Sequence, residues 1–456
     1  MIRALLLLGL LGLVIAAATW LSDNPGSLTA EWRGYRIETS AALVVAAVAL
    51  IAFATALIYR FWLALRRTPR RIADAWRERR RRRGYQALTR GMVAVAAGDP
   101  TEARKQAKRA EVLLNEPPLT MLLSAQSAQL GGDDRAAETF FTAMTERSET
   151  EFLGLRGLLS QAMKQNDRPR ALELARRAYR LQPDSEWVAK ALFDLQVDAG
   201  LWLDAGVTND ELARRRLLPG PQAGRRKAVL TFEQSRHAEG RGDRAEEFRL
   251  LRKANDLVSD FVPVTVRLAH CLAQDGKGRK AAGLIEKAWS RMPHPDLFAA
   301  HLEIADAPDA LQTVKAAEKL VRQNASHPES KIALAQASVD AGLWGEARRH
   351  LSDVVDGDAK DGYLGRACRL MAIVEEKEND DLAASREWLV RAANAGPDRT
   401  WVCGDCGNSA GDWAVRCGNC GGFDTYSWGT PPHVGRLIAP GGETGETKQF
   451  PSPGGQ

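Results

Sequence analysis

Two apolar stretches open the chain: residues 4–21 and 41–59 run for 18 and 19 positions without a charge. About 20 apolar residues cross a hydrocarbon layer, so the pattern predicts two membrane helices, at about 4–21 and 41–62, joined by a short loop. Trp20, Trp32, Tyr59 and Trp62 lie near the ends of these stretches, where amphipathic rings suit the headgroup layer. Residues 1–18 also fit the grammar of a cleaved signal peptide, with Arg3, a Leu-rich core and small residues at 16–18.

From residue 85 to 398 the apolar positions keep a helical period, interrupted by short breaks. Gly98-Asp99, Gly132-Asp133, Asn166-Asp167, Gly242-Asp243, Gly276-Lys277 and Gly342-Leu343 mark them, and several successive steps are 34 residues. Four residues after five of these six markers stands Ala103, Ala137, Ala171, Ala281 or Ala347. Eleven after stands Ala110, Ala178, Ala254 or Ala288, and sixteen after stands Pro183 or Pro293. Small residues at fixed offsets let paired helices approach closely, and the proline ends the second helix. A fixed period of this length predicts stacked helical hairpins. Residues 187–226 break the pattern, with Gly206 after the break and Pro219-Gly220-Pro221 interrupting what should be a second helix. An irregular all-α solenoid remains the alternative.

Charge changes the picture locally. The net charge is +6, yet residues 66–83 hold ten Arg against Asp74 and Glu78, a local +8, so the rest sums to −2. A basic face for nucleic acid is excluded for the body. Positive charge is retained on the cytoplasmic side of a bacterial inner membrane, so the expectation is a multi-pass membrane protein. Its loop at 22–40 is periplasmic, and everything after the Arg-rich juxtamembrane segment 66–84 is cytoplasmic.

No catalytic grammar is present: no phosphate-binding loop, no dinucleotide fingerprint, no His-Glu-x-x-His. The expectation is a non-enzyme with no identifiable small-molecule substrate. His237, His270, His294, His301, His327 and His350 are scattered singly, and Cys271 and Cys368 read as small buried residues. Stacked hairpins leave a concave groove that suits a protein partner.

The most specific local signal is Cys403-Gly-Asp-Cys406 followed by Cys417-Gly-Asn-Cys420. Two such knuckles offer four thiolates to one tetrahedral metal, and Gly404, Gly407, Gly418 and Gly421 permit tight turns. The expectation is a zinc-ribbon or rubredoxin-like module at 399–428 holding structural zinc, with iron as the alternative. Trp401, Trp413, Phe423, Tyr426 and Trp428 are its candidate apolar cover. A disulfide pair needs an oxidising compartment, and covalent haem needs a His after the second Cys, where both knuckles carry Gly. Residues 429–456, with seven Gly and five Pro, read as a disordered tail.

The loop Ser22-Asp23-Asn24-Pro25-Gly26, the run Ile37-Glu38-Thr39-Ser40, the Arg block and the repeats resemble the HemY family. The repeats themselves resemble the tetratricopeptide repeat, although its helix A glycine is filled only by Gly91. The HemY resemblance implies an inner-membrane scaffold tied to haem or porphyrin metabolism, gathering haem-pathway enzymes, with no catalytic residues to carry over. The four-cysteine end is similar to the rubredoxin-like end of LapB, a membrane-anchored adaptor in lipopolysaccharide control. That likeness keeps an envelope adaptor, or an iron-bearing redox carrier, as alternative readings.

Overall fold

The computed structural model describes residues 12, 15, 16, 19, 20, 26–32, 35–114, 116–357 and 362–432. The first predicted span and the tail from residue 433 onward therefore lie largely outside the described residues. The chain forms two compact units, 1–133 and 134–456.

In the first unit, strands β1 (Ser27–Trp32) and β2 (Tyr35–Ser40) form an antiparallel hairpin, with Ser27 opposite Ser40 and Trp32 opposite Tyr35. The segment expected to be a plain loop is thus a two-stranded ribbon. It leads straight into α1 (Ala41–Ala96), one helix of 56 residues. Ala, Leu, Val and Arg are good helix formers, and they carry the helix from the apolar stretch through the Arg-rich segment into the first repeat. At about 1.5 Å per residue α1 is roughly 84 Å long. Its part Leu43–Leu63 has a mean hydropathy of 2.2 and is long and apolar enough to cross a membrane.

The far end of α1 pairs with α2 (Pro100–Leu113), and α3 (Pro117–Leu130) packs on both. A Cβ on Gly84 would lie 2.5 Å from Leu114 Cγ, and one on Gly91 would lie 2.5 Å from Leu123 Cδ2. Gly91 is therefore fixed by the close approach of α3, the role its repeat position implies. Ala87, Leu88, Ala107, Ala110 and Leu123 complete this core.

The second unit begins with α4 (Asp134–Thr145) and continues as seven hairpins. These are α5 (Glu151–Lys164) with α6 (Arg168–Leu181), and α7 (Glu186–Asp198) with α8 (Trp202–Arg214). Then come α9 (Gly220–Gly240) with α10 (Arg244–Leu257), and α11 (Val262–Gln274) with α12 (Gly278–Trp289). The last three are α13 (Pro295–Ala305) with α14 (Ala310–Val321), α15 (Pro328–Asp340) with α16 (Trp344–Val355), and α17 (Leu364–Asn379) with α18 (Leu382–Asn394).

The repeating break has a local cause. Gly98, Gly132, Gly200, Gly242, Gly276 and Gly342 all have φ between 67° and 75°, the left-handed turn that ends a helix. Asn166 and Asp380 take the same conformation at their breaks. The residue that follows often caps the next helix: Asp99 accepts from Thr101 and Glu102 N–H at 3.0 Å, and Asp243 from Glu246 N–H at 3.0 Å. The alanines four positions on (Ala103, Ala137, Ala171, Ala281 and Ala347) are at most 1% exposed.

One expectation is corrected here. Residues 187–226 do complete a hairpin, because Gly200-Leu201-Trp202 repeats the break Gly342-Leu343-Trp344, and Ala205 is buried four places on, as Ala347 is. The Pro-Gly-Pro interruption lies after α8, and Pro219 is the N-cap of α9.

Candidate metal centre and the face it docks on

The chain leaves α18 into β3 (Thr400–Cys403), which pairs antiparallel with β4 (Ser409–Ala410) on one side and β5 (Tyr426–Gly429) on the other. Each knuckle closes in the same way. Gly407 N–H donates to Cys403 C=O and Gly421 N–H to Cys417 C=O, both at 2.9 Å. Cys403 N–H donates to Asn408 C=O and Cys417 N–H to Gly422 C=O. Gly407 and Gly421 have φ of 73° and 74°, so these two turns need glycine. Gly404 and Gly418, expected to share that role, do not take positive φ.

The four sulfurs of Cys403, Cys406, Cys417 and Cys420 lie within 4.8 Å of one another. Cys403 and Cys420 Sγ are 3.7 Å apart, and Cys406 and Cys417 Sγ are 3.6 Å apart. Ligands about 2.3 Å from a tetrahedral zinc stand about 3.8 Å from one another, so the cluster has the dimensions of a four-thiolate metal site. Its surroundings favour a thiolate at Cys417 and oppose one at Cys403 and Cys420. Burial raises the Cys417 thiol, but backbone N–H groups of Cys420 and Asn419 and the Tyr426 hydroxyl outweigh it and hold it down to about 6. Burial pushes the Cys403 and Cys420 thiols up. Thr425 Oγ1 lies 3.1 Å from Cys403 Sγ, and Tyr426 OH, which accepts from Asn408, is 3.6 Å from Cys417 Sγ.

The module does not hang free. Trp413 packs against Phe261 with ring centroids at 4.9 Å and against Phe232 at 5.8 Å, while Phe423 meets Phe193 edge-on at 5.3 Å. His294 lies between Trp401 (5.2 Å) and Trp428 (4.1 Å). Arg225 donates twice to Asp424, at 2.8 and 2.9 Å, with its guanidinium 4.1 Å above the Phe261 ring. Arg416 holds Gly421 C=O at 2.6 Å and forms an ion pair with Asp198, which also pairs with Arg168. Every repeat residue in this contact except Arg168 stands on the first helix of a hairpin or on its cap. The face of the array formed by α7, α9, α11 and α13 is thus contacted by the chain's own C-terminal module.

That placement revises the expected apolar cover. Trp401 and Tyr426 are buried within the module, Trp413 packs on both that core and the repeats, Phe423 faces the repeats, and Trp428 is shared between the core and His294. Sequence reasoning also passed over His294. It is fully buried, its Nδ1 accepts from Asp296 N–H at 3.1 Å, and burial, then Arg366 and Arg399, push its pKa down to about 3. His327 caps α15 in the same way, accepting from Glu329 N–H at 3.1 Å. The signal was present, as His-Pro occurs at 294–295 and again at 327–328. His237 accepts from Trp202 Nε1 at 3.0 Å, Cys368 is buried, and Cys271 is half-buried with its thiol 3.5 Å from Glu247. None of these joins the four-thiol cluster.

Beside the module, α9 and α11 leave an open cavity of about 360 Å³ lined by Phe232, Arg236, Glu239, Arg267 and His270 among others. Its charges are largely mutually paired: Arg267 with Glu239 and Glu247, and Arg236 with Glu233.

Comparison with known proteins shows likeness to a curated protein, to solved structures and to one family model. The chain is 26% identical over 456 residues (99% of this chain, 98% of the relative) to a probable magnetosome protein, Mms48, of Magnetospirillum gryphiswaldense. Among solved structures, that of Naa15/Naa10 bound to HypK-THB is 13% identical with a TM-score of 0.39. It covers 68% of this chain, which spans about half (53%) of that one. A tetratricopeptide repeat protein from Parabacteroides merdae is 16% identical with a TM-score of 0.29, covering 56% of this chain and 99% of that one. Residues 26–132, which hold the β-ribbon, the apolar part of α1 and the first three repeat helices, match the family model described as HemY protein N-terminus.

Proposed function

We propose that this protein is a non-enzymatic, membrane-anchored tetratricopeptide-type scaffold whose C-terminal module is a structural zinc site. Cys403, Cys406, Cys417 and Cys420 would be the ligands. The observation that carries the reading is α1: a single helix is both the candidate span and the first helix of the repeats, so the array is joined to the bilayer without a linker. The charge asymmetry supports an inner-membrane protein whose body lies on the cytoplasmic side. Zinc in such a site supplies folding energy for a unit too small to bury its own core. Partners would be proteins, held on the parts of the repeat surface that the module leaves open.

The HemY match supports partners among haem-pathway enzymes. Likeness along the whole chain to a probable magnetosome protein supports a second reading, a scaffold for assembling other membrane proteins. One experiment separates them: crosslinking and affinity capture of the full chain from its membranes, together with porphyrin and haem measurement after deletion. Capture of haem-pathway enzymes with accumulated porphyrin supports the first reading. Unchanged porphyrin with capture of other membrane proteins supports the second. A red, redox-active iron centre in place of colourless zinc would overturn the structural-zinc assignment.

A further inference from the structure

The C-terminal module meets the repeats through side chains that any protein segment could offer. Phe423 packs against the cluster of Phe193, Val197, Ala205 and Leu230, edge-on to the Phe193 ring. The next residue, Asp424, is held by Arg225, and a second cation, Arg226, lies 4.8 Å from the Phe193 ring centroid. Trp413 adds a further ring against Phe232 and Phe261. The repeats thus offer aromatic rings with two guanidinium groups beside them, fitted to an aromatic side chain followed by a carboxylate.

The same contact leaves donors without acceptors. Trp413 Nε1, Trp401 Nε1 and His294 Nε2 are buried with no hydrogen-bond partner among the described residues. His294 Nδ1 accepts from Asp296 N–H, so the neutral ring carries its proton on Nε2, and all three atoms are donors. All three rings take part in the contact, His294 against Trp401 and Trp413 against Phe232 and Phe261. A buried donor without an acceptor loses its bond to water and gains none, so separating the module from the repeats restores what docking removes. Beside the module the face stays open. Phe232, which touches Trp413, also lines the cavity of about 360 Å³ between α9 and α11, and a second opening of about 410 Å³ shares Arg236 and Glu239 with it. An incoming segment can therefore seat next to the module before the module leaves.

We propose that the face of α7, α9 and α11 is a receptor for a protein segment carrying an aromatic residue followed by an acidic one, and that the module closes it by presenting Phe423-Asp424 as a built-in occupant. The proposal rests on the scaffold reading and adds to it a surface that stays shut until a partner displaces the module. A peptide of residues 421–427 with benzoylphenylalanine in place of its Phe, offered in excess to the full chain in detergent, tests it. The double variant Phe423→Ala, Asp424→Asn opens the face and leaves the four cysteines untouched. Should its repeats lose helical circular dichroism, the parent after chelation serves as the opened form. A tethered occupant competes at an effective concentration of about millimolar, so irradiation should link peptide to residues around Phe193 about tenfold more in the opened form than in the parent. Adding Arg225→Ala, or replacing the peptide's Asp by Asn, should remove that gain. Equal linking of the parent and the opened form, linking that ignores Arg225 or the peptide's carboxylate, or no linking at all would each overturn the proposal. Such a failure leaves the scaffold reading to the capture experiment, which uses the parent chain and does not depend on this face.

Discussion

Asp424 accepts two hydrogen bonds from the Arg225 guanidinium although the two residues stand 199 positions apart. The carboxylate side chain is 8% exposed, and Asp424 is held at φ 52°, a conformation most residues avoid. The second knuckle thus aims its carboxylate at α9, and α9 answers with a cation braced on Phe261. Charged hydrogen bonds of this kind contribute about 1.5–3 kcal/mol. A double-mutant cycle of Arg225→Ala and Asp424→Asn should return a coupling in that range, read as module release by hydrogen exchange. Additive effects would mean that the pair does not hold the module.

Trp413 touches both the cysteine core of the module and the repeats, so its loss tests which contact matters more. Its ring packs against both Phe232 and Phe261, so Trp413→Ala removes a large apolar contact worth about 3–5 kcal/mol in a well-packed site. The variant should keep its metal at one per chain while amides around Phe232 and Phe261 lose protection. Loss of metal along with docking would show that the Trp413 contact with the cysteine core outweighs its contact with the repeats.

His294 makes docking sensitive to acid. In the folded chain its pKa is about 3, against about 6.5 when unfolded. The neutral ring's contribution is therefore fully present above pH 6.5 and is lost as pH falls from 6.5 toward 3, by up to about 1.4 kcal/mol per pH unit. His294→Asn keeps an N-cap acceptor and removes the titration, so its stability should fall less steeply between pH 6.5 and 5. Identical slopes for parent and variant would refute the assignment. His301, His327 and His350 are shifted down by burial too, so some slope remains.

Ala171 has no exposed surface where α6 crosses its neighbours. Ala171→Leu should overpack that contact and cost about 1–3 kcal/mol, read from denaturant unfolding followed by helical circular dichroism. No loss of stability would mean the hairpins are not as closely packed as the buried alanines imply.

The hairpins were legible in the sequence because their breaks are chemical: a residue that accepts positive φ, a capping side chain, and an alanine four places on. Gly200-Leu201 escaped notice only because Leu replaces Asp as the marker, although Leu343 does the same. The four thiolates were legible because ligand spacing is local. The docking of the module was not, since Arg225, Phe261 and His294 meet Asp424, Trp413 and Trp428 only after more than a hundred residues of solenoid have set their positions. Nor does periodicity show that α1 runs on without a break, because a helical pattern reads the same on either side of a membrane boundary.

The central claim is that a metal held by four thiolates keeps the C-terminal module folded against the first helices of the repeat hairpins. Metal content and hydrogen exchange of the full chain, measured before and after chelation, test it most directly. The account predicts one zinc per chain. On chelation, protection should be lost together in residues 400–429 and around Phe193, Phe232 and Phe261, while α5 and α6 stay protected. A chain without bound metal, or one whose module and docking helices keep their protection after the metal is removed, would contradict it.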